Sequence, residues 1–75
     1  MLSAHWVGID VSKKTLDLGM HPQRSAVSVA NSPDGIATLI TRLKAAPPQG
    51  IVIEATGGYE RPVLTSLIAA NLPAA

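Results

Sequence analysis

Two carboxylates, Asp10 and Glu54, are the residues of this sequence best placed to do chemistry. Asp10 interrupts an apolar run, Val7-Gly8-Ile9-Asp10-Val11, and Glu54 closes another, Ile51-Val52-Ile53-Glu54. A carboxylate inside a strand expected to be buried is costly unless its charge is compensated. Two carboxylates at the ends of neighbouring strands repel each other, and a hard divalent cation reverses that penalty. Magnesium is held by one or two carboxylates together with waters and substrate phosphate oxygens. The pair is therefore a candidate ligand set for Mg2+ or Mn2+. A strand-end aspartate also serves as a turn residue that accepts hydrogen bonds from nearby amides. The pattern alone leaves both roles open.

The elements that must position this pair follow from the periodicity. Val7, Ile9 and Val11 alternate with Gly8 and Asp10, which predicts a strand from about Ala4 to Val11. Ser12-Lys13-Lys14 is a polar break that reads as a hairpin turn. Leu16, Leu18 and Met20 then alternate with Thr15, Asp17 and Gly19, giving a second strand with one apolar and one wet face. A turn at His21-Pro22-Gln23-Arg24 leads into a third strand, Ser25 to Ala30. Asn31-Ser32-Pro33-Asp34 starts a helix: Ser32 or Asn31 caps it, Pro33 suits the first position, and Asp34 suits the positive end of the dipole. Ile36, Leu39, Ile40 and Leu43 follow at helical spacing, and Pro47-Pro48 stops the helix. Ile51-Val52-Ile53 reads as a fourth strand buried on both faces. Ala55-Thr56-Gly57-Gly58 is a loop, and a second helix is expected from about Tyr59 to Ala70 with Val63, Leu64, Leu67 and Ile68 buried.

The order βββαβα restricts the geometry. A strand that follows a helix after a meander returns parallel to an earlier strand by a right-handed crossover. The fourth and first strands are the most apolar, so pairing them gives the sheet order 3-2-1-4. Asp10 and Glu54 then lie at the same carboxyl edge, and in a level register they point to the same side.

Bulk composition sets the limits. Seventy-five residues allow one small domain, 47 % hydrophobic and 15 % charged. A chain of this size buries only about 60 % of its unfolded surface. The only aromatics are Trp6 and Tyr59, and there is no cysteine, so the core is aliphatic and carries no disulfide or zinc-thiolate site. No apolar run approaches the ~20 residues of a bilayer span, and no signal peptide is recognised. Six basic and five acidic residues give a net charge of +1, which is not the strongly basic footprint of a nucleic-acid binder.

Three segments taken together go further. VGIDVSKKTLDLGM, VANSPDGIATLITRL and IVIEATGGYERPVLTSLIAANLP, in this order and spacing, resemble the start of the DEDD transposases of the bacterial insertion sequence 110 family, relatives of the Piv DNA invertases. The resemblance runs from about Val7 to Pro73. It implies a RuvC-like domain of the ribonuclease H-like fold, with a fifth strand beside the fourth. It also implies four acidic residues that bind Mg2+ or Mn2+ and cut DNA phosphodiesters. Asp10 matches the first acidic position and Glu54 the second. The third and fourth are downstream aspartates not present in this sequence, and so is a C-terminal domain with a nucleophilic serine. Intact members exchange DNA strands at sites chosen by a structured RNA. The resemblance thus implies an N-terminal portion of a transposase, a cloned domain or a truncated gene product, without catalytic activity of its own and with weak metal binding. Its partners are DNA and a guide RNA, and its location is the bacterial cytoplasm.

Secondary candidates accompany the pair. Lys13 and Lys14 suit phosphate contacts near the metal edge, or are simply solvated. Thr56, Gly57 and Gly58 allow close approach of a nucleic-acid strand, or form a turn that needs positive φ. Tyr59 stacks on a base or packs over its loop. Asp17, His5 and His21 are expected at the surface, and Glu60 in the first turn of the second helix, where it suits the dipole, rather than as a ligand. The apolar fourth strand, left with an open edge, predicts self-association through Ile51 to Ile53 or through the second helix. Two rivals stand beside this reading. One is a nucleotide-binding fragment of an actin- or sugar-kinase-like ATPase, although the turn Ser12-Lys13-Lys14 lacks the usual glycines and threonines. The other is a non-catalytic module that pairs with a full transposase.

Overall fold

Alternation and capping produce six elements in a computed structural model that describes residues 5–21, 26–55 and 57–74. Strands β1 (Trp6–Val11), β2 (Thr15–His21) and β3 (Ala26–Ala30) form the meander, followed by helix α1 (Pro33–Ala45), strand β4 (Gly50–Ala55) and helix α2 (Arg61–Ala69). The sheet order is β3-β2-β1-β4, with β1 antiparallel to β2 and parallel to β4. The chain is thus a small α/β domain with a mixed four-stranded sheet and two helices, in the predicted order. His21, expected to open the next turn, is the last residue of β2, and the rest of that turn, Pro22 to Arg24, lies outside the described residues, as do Ala4, Ser25 and Thr56.

One face of the sheet carries the core. Val7, Ile9 and Val11 of β1, Leu16 and Leu18 of β2 and Ile51 of β4 are buried against Ile36, Leu39 and Leu43 of α1 and Val63 and Leu67 of α2. Among the described residues nothing covers the opposite face, which corrects two expectations. β4 is not buried on both sides, because Val52 points to the open face and is 48 % exposed. Asp10 is not in a buried environment either: it alternates onto the same open face and is exposed. Its desolvation cost therefore does not demand a compensating ligand.

The helix ends follow their chemistry. The Ser32 side chain accepts a hydrogen bond from the Gly35 amide at 3.2 Å, so Ser32 is the cap of α1, with Pro33 in its first turn. Gly35 is required by close packing: a Cβ there would overlap the Ala30 carbonyl oxygen and lie 2.8 Å from the Ala30 carbonyl carbon. α2 starts two residues later than expected, because Gly57 (φ 78°) and Gly58 (φ 82°) carry the chain through a turn that reaches Glu60. Its buried stripe is narrower than the four residues expected. Val63 and Leu67 are buried, Leu64 is half-buried, and Ile68 is 59 % exposed. Asn71, at φ 60°, ends α2, and the Leu72 amide donates to the Leu67 carbonyl. Asparagine tolerates this left-handed conformation better than most residues. The chain then turns alongside β4: the Ile51 amide donates to the Pro73 carbonyl at 2.8 Å, and Ile51 bridges Ala74 in parallel. The edge of β4 expected to be open at Ile51 is therefore already paired there.

Candidate functional site

Asp10 and Glu54 are each the penultimate residue of a strand, β1 and β4, and they are direct partners in the parallel register. The level register that brings both carboxylates to one side is what the structure shows. Parallel neighbours lie about 4.8 Å apart, so the two side chains leave the same face as adjacent groups. Both are exposed. They line a shallow concavity of about 430 Å3 with Val11, Ile53 and Ala55.

A third carboxylate adjoins them. Asp17 of β2 is the antiparallel partner of Asp10, and Ser28 of β3 is the partner of Asp17. The open face thus carries a row Ser28–Asp17–Asp10–Glu54 across all four strands. Like charges directly opposite one another destabilise a sheet. Asp17 is exposed as expected, but its place beside Asp10 was missed. The three-residue break read from the sequence would set Val11 opposite Thr15; instead Ser12 pairs with Thr15 across Lys13-Lys14, which sets Val11 opposite Leu16 and Asp10 opposite Asp17. Among the described residues, no group of three or more His, Cys, Asp or Glu side chains converges as a metal cage. The arrangement is a pair with an acidic flank. The next row of the open face, Ala26, Gly19, Gly8 and Val52, is nearly bare of side chains. Beyond it the Trp6 ring lies against Gly50, where it would collide with any Cβ.

Three loops gather at the same sheet edge. β1, β3 and β4 run in one direction, so the turn after β1, the entry to α1 after β3 and the loop after β4 share an end. The turn after β1 is closed by the Ser12 amide donating to the Thr15 carbonyl at 2.9 Å and by the Thr15 amide donating to Ser12 Oγ at 3.1 Å. Lys13 and Lys14 project from it and are exposed. Gly57 and Gly58 have the positive φ that the turn reading required, and they are exposed as well. The Tyr59 ring lies against Gly57, packing over its own loop. Thr56, the other residue singled out in this loop, lies outside the described residues.

The remaining candidates sit apart. His21 is exposed at the far end of β2, while His5 is half-buried rather than a surface residue, its carbonyl accepting from the Gln49 amide at 2.7 Å. A larger concavity of about 790 Å3 lies between α1 and α2, lined by Ile36, Ala37, Ile40, Pro62, Ser66 and Ala69, away from the carboxylates. Among the described residues no helix is long and apolar enough to cross a membrane. No protein-family model matches the chain, and no curated protein matches it.

Proposed function

We propose that this chain is the N-terminal portion of a RuvC-like, ribonuclease H-like nuclease domain of the DEDD transposase kind, with Asp10 and Glu54 as its first two metal ligands. The observation that carries the reading is the level pairing of Asp10 with Glu54 on adjacent parallel strands. The donor chemistry fits: two hard oxygen ligands, exposed to water and beside a concavity, suit Mg2+ or Mn2+, which keeps several waters. When bound, such an ion supplies Lewis-acid polarisation of a scissile phosphodiester. Asp10 and Glu54 hold it, while Lys13 and Lys14 on the neighbouring turn attract the phosphate backbone. The isolated parallel bridge between Ile51 and Ala74 lies on the side of β4 where this fold has a fifth strand.

On this reading the chain supplies two carboxylates of the four, Asp10 and Glu54. It binds DNA in a metal-dependent manner, and self-association uses the edge of β4 beyond Ile51. The nucleotide-binding alternative is less well supported, because the Ser12 hydroxyl is engaged with Thr15 rather than free for a phosphate. Fluorescence anisotropy with a short DNA oligonucleotide, and separately with ATP, tests the reading. DNA binding that requires Mg2+ and is lost in Asp10→Asn is the expected result. Saturable ATP binding without DNA binding would favour the ATPase-like alternative.

A further inference from the structure

We propose that Asn31 is a positioning residue that locks the Ser12–Lys14 turn and the Gly57–Tyr59 loop together over the Asp10–Glu54 edge, so that both loops meet a phosphodiester as one surface. The substrate part of this inference rests on the metal-nuclease reading; the lock itself does not. Asn31 lies between β3 and α1 and is half-buried. Its backbone amide donates to the Lys14 carbonyl at 2.8 Å. Its side-chain Nδ2 donates to the Ser12 carbonyl at 2.9 Å and to the Tyr59 carbonyl at 3.3 Å. One residue therefore ties the turn after β1 and the loop after β4 to the start of α1.

The chemistry admits few substitutes. Both side-chain partners are carbonyl oxygens, which only accept, so the carboxamide must present its two N–H groups to them. Helix capping does not need this side chain, since Ser32 already caps α1. The sequence offered Asn31 as an alternative cap of α1, and the hydrogen bonds give its side chain to the two loops instead. The consequence is spatial. Lys13 and Lys14 follow Ser12 directly, and Gly57 and Gly58 precede Tyr59. With Asn31 in place, the two cations and the two glycines keep a fixed relation to the carboxylate pair. Without it, the turn retains its own Ser12–Thr15 bonds but loses its side-chain tether to the other loop.

The test uses the full chain and two variants. Asn31→Asp keeps the shape and turns both donors into acceptors facing carbonyls. Asn31→Ala removes the side chain's bonds without adding charge, and stands in if the first variant fails to fold. Backbone 15N relaxation at Lys13, Lys14, Gly57 and Gly58 reports the order of each loop. Amide exchange in β1 reports global stability. Mn2+ titration and anisotropy with a thymidine oligonucleotide report the two ligands.

The expected result is loss of order in both loops with β1 protection retained. Mn2+ affinity should stay within about twofold, and oligonucleotide affinity should fall about 3- to 10-fold, the scale of one or two net hydrogen bonds. A purely structural role would lower β1 protection and all affinities together. Loops that stay ordered in both variants would overturn the lock. Loops that loosen while oligonucleotide affinity is unchanged would overturn its role in binding. If the unmodified chain binds neither Mn2+ nor the oligonucleotide, the nuclease reading fails and the role in binding falls with it, while the relaxation data still decide the lock.

Discussion

Gly35→Ala separates local propensity from packing, because the two predict opposite signs. Glycine in a helix is less favourable than alanine by up to about 1 kcal/mol, so α1 considered alone would be stabilised by the change. The packing says otherwise. The new Cβ would overlap the Ala30 carbonyl oxygen and lie 2.8 Å and 3.0 Å from the Ala30 carbonyl carbon and amide nitrogen. These are backbone atoms, not the free end of a side chain. Ala30 is held in the sheet opposite Thr15, and the next amide, that of Asn31, is bonded to the Lys14 carbonyl. The strand end cannot swing away without breaking that bond, so α1 must lift. Overpacking costs about 1–3 kcal/mol, which outweighs the propensity gain. A net loss of about 1–2 kcal/mol lowers the melting temperature by roughly 5–15 °C for a domain this small. Thermal unfolding followed by circular dichroism reads this directly. A Gly35→Ala variant that melts higher than the parent would refute the packing of α1 on the end of β3.

Other perturbations probe the core and the acidic row. Leu39 is fully buried at the centre of α1; Leu39→Ala removes about 2–5 kcal/mol, close to the whole stability of a small domain, and urea titration should show most of the chain unfolded without denaturant. Asp17→Asn relieves the like-charge contact with Asp10, so it should melt higher than the parent at low salt. The gain should disappear near 1 M salt, where the Debye length is about 3 Å; a gain unaffected by salt would point to a non-electrostatic origin.

What the sequence made legible was whatever a local period or cap controls. The alternation of Val7, Ile9 and Val11 and the apolarity of Ile51 and Ile53 placed β1 beside β4, and that pairing brought Asp10 level with Glu54. Ser32 and Pro33 marked the start of α1 by their own chemistry. What stayed hidden depends on what covers what. Ile51-Val52-Ile53 looks the same whether helices lie on one face of the sheet or both, so the exposure of Val52 and Asp10 could not be read. Ile68 has helical spacing with Leu64, yet only Val63 and Leu67 face the sheet. Asn31 looked like a cap, because residues 19 and 28 positions away in the chain supply its side-chain partners.

The central claim is that Asp10 and Glu54 together hold a divalent ion. Mn2+ titration of the 15N-labelled chain, followed by paramagnetic broadening of its amide signals, tests it most directly. The predicted result is saturable broadening centred on the ends of β1 and β4, at Asp10, Val11, Glu54 and Ala55, abolished in Asp10→Asn and in Glu54→Gln. Broadening that is absent, or that persists unchanged in both variants, would contradict the claim and leave the level register of the two carboxylates a feature of the sheet alone.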